Sequence, residues 1–173
     1  MTEPISPGAV HLREITDANR EAVVAVHVAP GQDQFVAPVA RSIEEAARTP
    51  EGNPWFRAIY AGDEPVGFVM LSWAVTPTED IIGPWFLWRL LIDQRQQRRG
   101  LGRAALKLVV DLIRAEGATE LLTSYHPGEG EPWPFYERFG FRPTGAIDHG
   151  EIVLSLDLQQ PAATPSPDGP WAT

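Results

Sequence analysis

The chain of 173 residues contains no cysteine, which excludes disulfides and thiolate metal sites. Its four histidines (His11, His27, His126, His149) fall in no HxxxH-type spacing, so no resident metal is expected. No apolar run reaches the ~18 residues of a membrane-crossing helix, and the opening stretch MTEPISPGAV has neither the basic nor the apolar region of a secretion signal. A cytoplasmic protein that engages no membrane is the expectation. Lysine is nearly missing too: Lys107 is the single one among 14 basic residues, which face 23 acids. The resulting net charge of −9 argues against nucleic acid as a partner.

What is present is an ordinary apolar content of 43% and a length sufficient for one domain with a real core. We read that domain as residues 1–158, with recognisable elements from about residue 8. A Pro-rich tail, residues 159–173, follows and is expected to be disordered. The charge is unevenly spread. Residues 94–114 hold six basic side chains (Arg95, Arg98, Arg99, Arg103, Lys107, Arg114) against Asp111 alone; this window is +5 in a chain of −9, leaving −14 elsewhere. An acidic protein with one basic patch suggests a specific anion site.

Hydrophobic periodicity supplies the elements. VHLREI (10–15) alternates as a strand. A helix capped by Thr16 or Asp17 is expected to run to about Val28, with Ala22, Val23, Val26 and His27 on one face. Ser42-Ile43-Glu44-Glu45 has the form of a capping box opening a short helix that ends near Thr49-Pro50. WFRAIYA (55–61) and VGFVMLSW (66–73) flank a hairpin turn. WFLWRLLI (85–92) is continuously apolar, so a strand buried on both faces is expected, with Arg89 in an ion pair or edge contact. A helix over 101–116, a strand ELLTSY (120–125), a short helix around Trp133–Phe139 and two final strands complete the order βααββ, βαβ, αββ. That is a mixed sheet with helices on its faces.

The stretch QRRGLGRAA (97–105) stands where a strand hands over to a helix. GLGRAA fits G-x-G-x-x-G/A, the dinucleotide fingerprint, but DQRQQRR separates Ile92 from Gly100. Glu120 begins its strand where that fold needs an acid at the end, and only 73 residues follow Gly100. The dinucleotide reading is rejected. The alternatives left by the residues are a pyrophosphate cradle and a plain tight turn before a solvated basic face. For the cradle, a helix N-terminus offers unpaired N–H groups and about half a positive charge. Glycines admit close approach, and Arg98, Arg99 and Arg103 add charge-assisted bonds.

Gln97-Arg98-Arg99-Gly100-Leu101-Gly102 resembles the Q/R-x-x-G-x-G/A acyl-CoA signature of the GNAT family of N-acetyltransferases, and Phe135 to Phe141 (FYERFGF) is similar to that family's late FYxxxGF motif. The resemblance covers about residues 10–158. Its opening, ITDANREAVVAVHV with Gln34 and Ser42 to Ala46, is similar to bacterial polyamine and diamine acetyltransferases. Two positions depart from those enzymes: Trp88 stands where they often carry a polar group, and Glu129, followed by Pro132-Trp133-Pro134, stands near their asparagine.

The resemblance implies an α/β fold with a mixed, mostly antiparallel sheet, helices on both faces and a splayed parallel strand pair (85–92 and 120–125) holding acyl-CoA. It implies acetyl-CoA as acyl donor and a small amine as acceptor. Backbone at Leu90, Leu91 and Ile92 would pair with pantetheine, and Gln97, Arg98, Arg99, Gly100, Leu101, Gly102 and Arg103 would hold the pyrophosphate. Tyr136 would protonate the leaving thiolate, although Phe135 and Phe139 are read as the core face of its helix, with Tyr136 turned away. At an amine pKa of ~10.4 roughly one molecule in a thousand is neutral at pH 7, so the ammonium must lose a proton. Glu129 and Glu131 are the favoured bases, with His126, Asp93 and a water chain as alternatives. Trp55, Trp85, Phe86, Trp88 and Trp133 are candidates for an aromatic wall facing a cation. A homodimer is the expected assembly. A protein or peptide N-acetyltransferase and a non-catalytic acyl-CoA sensor stay open as other functions.

Overall fold

The computed structural model describes residues 9–159; nearly all of the expected tail, Trp171 included, lies outside the described residues. In chain order the elements are β1 (Val10–Arg13), α1 (Arg20–Val24), α2 (Val39–Arg48), β2 (Pro54–Ala61), β3 (Glu64–Ser72), β4 (Phe86–Ile92), α3 (Leu101–Ala115), β5 (Glu120–Tyr125), α4 (Trp133–Phe139), β6 (Arg142–Asp148) and β7 (Glu151–Asp157). The strands form one seven-stranded sheet in the order β1-β2-β3-β4-β5-β7-β6. All neighbours are antiparallel except β4 and β5. The β4-to-β5 crossover through α3 is the connection a parallel pair requires.

A hydrophobic cluster lies on each face of the sheet. α3 contributes Leu101, Ala105, Leu106, Val109 and Ile113 to one, where they meet Ile59, Val69, Leu71 and Leu87. α2 contributes Val39, Ile43 and Ala46 to the other, beside Val23, Phe68 and Met70. The period-2 alternation of β2 and β3 feeds both clusters at once, which is why these strands read as nearly unbroken apolar runs.

Three local expectations are corrected. The first helix is far shorter than 16–28, because the Asn19 side chain accepts from Thr16 N (2.8 Å) and donates to Glu14 O (3.0 Å), folding that segment into a turn. Beyond α1 the chain is drawn to the end of β4 by Gln94 N donating to His27 O at 2.9 Å. Val23 and Val26 are buried as expected, but Ala22 and His27 are exposed. Second, Ser42 is not a cap. Pro38 opens α2, and the Ser42 hydroxyl donates back to Pro38 O (2.9 Å) from inside the helix. Third, β4 is not buried on both faces: only Leu87 and Leu91 are fully buried.

The reason for the last correction is a β-bulge. Met70 pairs with Arg89 and Leu71 with Leu87, so Trp88 is an extra residue without a partner in β3. A bulge places two successive side chains on the same side and bends the strand. Leu87 therefore joins the α3 cluster, while Trp88 packs into the α2 cluster. Arg89 follows Trp88 to that side and meets Glu45 of α2 at 2.6 Å, the ion pair expected for it. Pairing of β4 with β5 stops at Phe86↔Leu122 and Leu87↔Thr123. From there the two strands part, and a cleft opens between them.

Candidate active site

The cleft has a volume of about 770 Å³. One end is the turn between β4 and α3. Gly100 caps α3 in the left-handed conformation (φ +76°), which side chains other than glycine rarely adopt. Ala104 N bonds to Gly100 O (3.0 Å), so the amides of Leu101, Gly102 and Arg103 precede the first helical bond. A Cβ on Gly102 would stand in the cleft, in ordinary contact with Ile92 (3.5 Å) and Phe135 (3.6 Å). Space, unpaired N–H groups and the helix dipole converge there, the chemistry of a phosphate cradle. Arg98 and Arg103 line this end. Arg99 does not: its guanidinium is bonded to the Gln96 side chain. Arg138 of α4 lines the cleft instead, and sequence reasoning missed it.

Gln97 lines the cleft, but its side chain is held. Its amide donates to Gln32 Oε1 (2.7 Å) and Ile92 O (3.0 Å), while Gln32 donates back to Gln97 Oε1 (3.1 Å). Gln97 thus ties the turn to residues 28–36, a wall of the cleft that includes Val28, Phe35 and Val36 and that carries no recognisable motif. Leu90, Leu91 and Ile92 line the cleft along the diverging edge of β4.

Tyr136 lies at the split between the strands. It is the one buried residue of α4, reversing the expected orientation, while Phe135 and Phe139 are half-buried at its flanks. Burial pushes its phenol up to about 12; a hydrogen bond with the Thr123 side chain acts the other way, and the Glu151 charge raises it further. Thr123 in turn donates to Leu87 O (2.9 Å), the last paired position of β4.

The remaining candidates separate. Glu131 lines the cleft and accepts from Gly128 N (2.8 Å), stapling its own loop. Glu129 is exposed and is not among the lining residues. Asp93 is fully buried; it accepts from Arg95 N and Nε (both 2.9 Å) and His27 N (3.4 Å). Burial alone would raise its carboxyl, but the Arg95 and His27 bonds and the Arg95 charge together hold it below its ordinary value. Asp93 is an anchor between the segment that follows α1 and the end of β4. Of the five expected aromatics only Trp88 lines the cleft. Trp55 and Trp85 instead flank Trp73 (ring centroids 5.0 Å from each), and Trp133 stacks on Tyr125.

The acetyltransferase (GNAT) family model matches residues 13–141. The chain belongs to that family. As a GNAT protein it is an acyltransferase. The spermine/spermidine N(1)-acetyltransferase of Bacillus subtilis (strain 168) is 30% identical over 153 residues, 87% of this chain and 99% of that protein. Among solved structures, a GNAT-family protein of Desulfovibrio desulfuricans matches with a TM-score of 0.61 at 22% identity, over 87% of this chain and 99% of the other. The PaiA N-acetyltransferase of Thermoplasma acidophilum, solved in complex with coenzyme A, matches with a TM-score of 0.60 at 16% identity, over 86% and 98%. At such identities the structural matches speak for the GNAT fold. Among the described residues no helix is long and apolar enough to cross a membrane.

Proposed function

We propose that this GNAT protein transfers the acetyl group of acetyl-CoA to a primary amine of a small cationic molecule, polyamine-like or an amine-bearing antibiotic. The observation that carries the reading is one cleft with a glycine-opened helix N-terminus at one end and a buried phenol at the strand split. Acetyl-CoA supplies an acetyl group activated as a thioester. The residues fit it: the amides of Leu101 to Arg103, with Arg98, Arg103 and Arg138, would hold the pyrophosphate, and the unpaired edge of β4 at Leu90 to Ile92 would receive pantetheine. Gln97 shapes the turn through Gln32. Tyr136, kept protonated by burial, remains a donor throughout the neutral range and meets charge developing on sulfur. Glu131 and the face of Trp88 draw an ammonium into the other end of the cleft. The likeness to a spermine/spermidine acetyltransferase supports an amine acceptor.

The test is acetyl-CoA turnover, read as thiol release, across polyamines, aminoglycosides, amino acids and peptides. Fastest turnover is expected with polyamines or aminoglycosides. Preference for peptides would make the acceptor a protein. Binding of acetyl-CoA without turnover of any amine would make the protein a sensor.

A further inference from the structure

Acetylation of an ammonium requires a proton sink, and the two loop carboxylates are poorly placed for it: Glu131 is engaged with its own loop and Glu129 is not among the residues lining the cleft. The next residue after Thr123 offers one. Ser124 lines the cleft, and its hydroxyl donates to Glu151 Oε2. The other oxygen, Glu151 Oε1, lies 3.2 Å from His126 Nε2. Ser124 pairs with Val153 across β5 and β7, which puts Glu151, two residues from Val153, on the same face of the sheet. The Glu151 side chain is 32% exposed. A polar path therefore runs from the cleft through Ser124 to a carboxylate in contact with water. Thr123 and Ser124, being successive in a strand, point to opposite faces. β5 thus carries the partner of the phenol on one face and this path on the other.

We propose that Ser124 and Glu151 form the relay that removes the amine proton, with His126 orienting Glu151. This rests on the acetyltransferase reading above. The Ser124 Oγ accepts a proton from the ammonium nitrogen as its own proton passes to Glu151 Oε2, freeing the nitrogen lone pair to form the new N–C bond. The hydroxyl emerges from this exchange intact, and Glu151 then releases the proton to solvent, which restores its carboxylate. Ser124 is the catalytic residue and Glu151 and His126 are positioning residues. The ionisable groups around Glu151 are His126 after β5, Asp148 and His149 at the β6–β7 turn, where Asp148 pairs in register with Glu151, and Tyr136 of α4.

The experiment compares wild type, Ser124→Ala, Glu151→Gln and His126→Gln with a polyamine acceptor from pH 6.5 to about 10, the ordinary alkylamine pKa. Acetyl-CoA affinity by calorimetry serves as the check on folding. Without the relay only the free amine reacts. Hence kcat/KM of Ser124→Ala and Glu151→Gln should fall about 10²-fold at pH 7, the lower range for a positioned proton-transfer group. The loss should shrink about tenfold per pH unit as the amine deprotonates, with acetyl-CoA affinity unchanged. His126→Gln should show the same trend with a smaller loss. A loss that is constant with pH, or none, in variants that bind acetyl-CoA normally would overturn the relay while leaving the acetyltransferase reading intact. Absence of turnover in the wild type would overturn both.

Discussion

At one end of the cleft the proposed pyrophosphate cradle is drawn mostly from one stretch, Gln97 to Arg103, with Arg138 added from α4 and Arg99 turned aside, and it acts largely through main-chain amides, a left-handed glycine and a helix terminus. At the other end Phe35, Trp88, Ser124 and Glu131 come from four separate stretches and act through side chains. A site made of backbone is specified by where glycine is permitted, so its signature is short and contiguous. A site made of side chains is specified by the fold that gathers them. The two ends should therefore break differently: the first by adding atoms, the second by removing them.

The largest effect is expected from Gly102→Asp. Its side chain would fill the cleft between Ile92 and Phe135 and set a carboxylate where the pyrophosphate charge belongs. Acetyl-CoA binding should vanish in calorimetry while the fold survives. The wild type should gain about 2.7 kcal/mol of stability at a hundredfold excess of acetyl-CoA over Kd, and the variant none. Unchanged affinity in the folded variant would remove the cradle.

Tyr136→Phe comes next, at the junction of the two ends. The ring stays and the hydroxyl goes, so acetyl-CoA should bind as before while kcat drops roughly 10²-fold or more. Full activity would assign the thiolate proton to another source. Loss of binding together with activity would make Tyr136 structural.

Asp93→Asn tests the anchor behind the donor end. Removing a buried charge that accepts several hydrogen bonds should cost about 1.5–3 kcal/mol, a fall in Tm of about 2–4 °C for each kcal/mol. Because the folded Asp93 titrates below its ordinary 3.8, its contribution is present above that pH and lost as pH falls through the depressed value. The variant and wild type should thus converge in acid denaturation; a difference that persists at the acid extreme would sink the assignment.

The smallest effect is at alkaline pH. Tyr136 rises from the ordinary 10 to about 12 on folding, so stability should fall as pH climbs between those values, where the unfolded chain has already lost the proton. Tyr136→Phe should flatten that slope, leaving the part due to Tyr125, which burial and the Glu131 charge also raise. An unchanged slope in the variant would show that the phenol is not buried in solution.

The same contrast explains what was legible. The bounds of β5 and α4 match ELLTSY and Trp133–Phe139 to the residue, because turn residues flank both runs. The glycine turn was legible as the start of a helix because its residues are adjacent in the sequence. Gln32 and Gln97 were not legible as a pair, being 65 residues apart, nor were Ser124 and Glu151, 27 apart. Ser42 shows a subtler failure: the letters of a capping box are equally satisfied by a hydroxyl bonded four residues back. Tyr136 was misplaced because Phe135 and Phe139 define a stripe by spacing, while the one buried side chain of this short helix lies to one side of that stripe.

The bulge at Trp88 is a change of parity. Up to Leu87 one rule assigns the side chains of β4 to the two faces, and from Arg89 onward the rule is inverted. Losing or gaining one residue in this strand would restore a single rule, turning Arg89 away from Glu45 and closing the seam where β5 departs. A substitution alters one side of the cleft, whereas a one-residue deletion would remove the cleft itself, so tolerance to length change in Phe86–Ile92 should be far lower than tolerance to change of side chain.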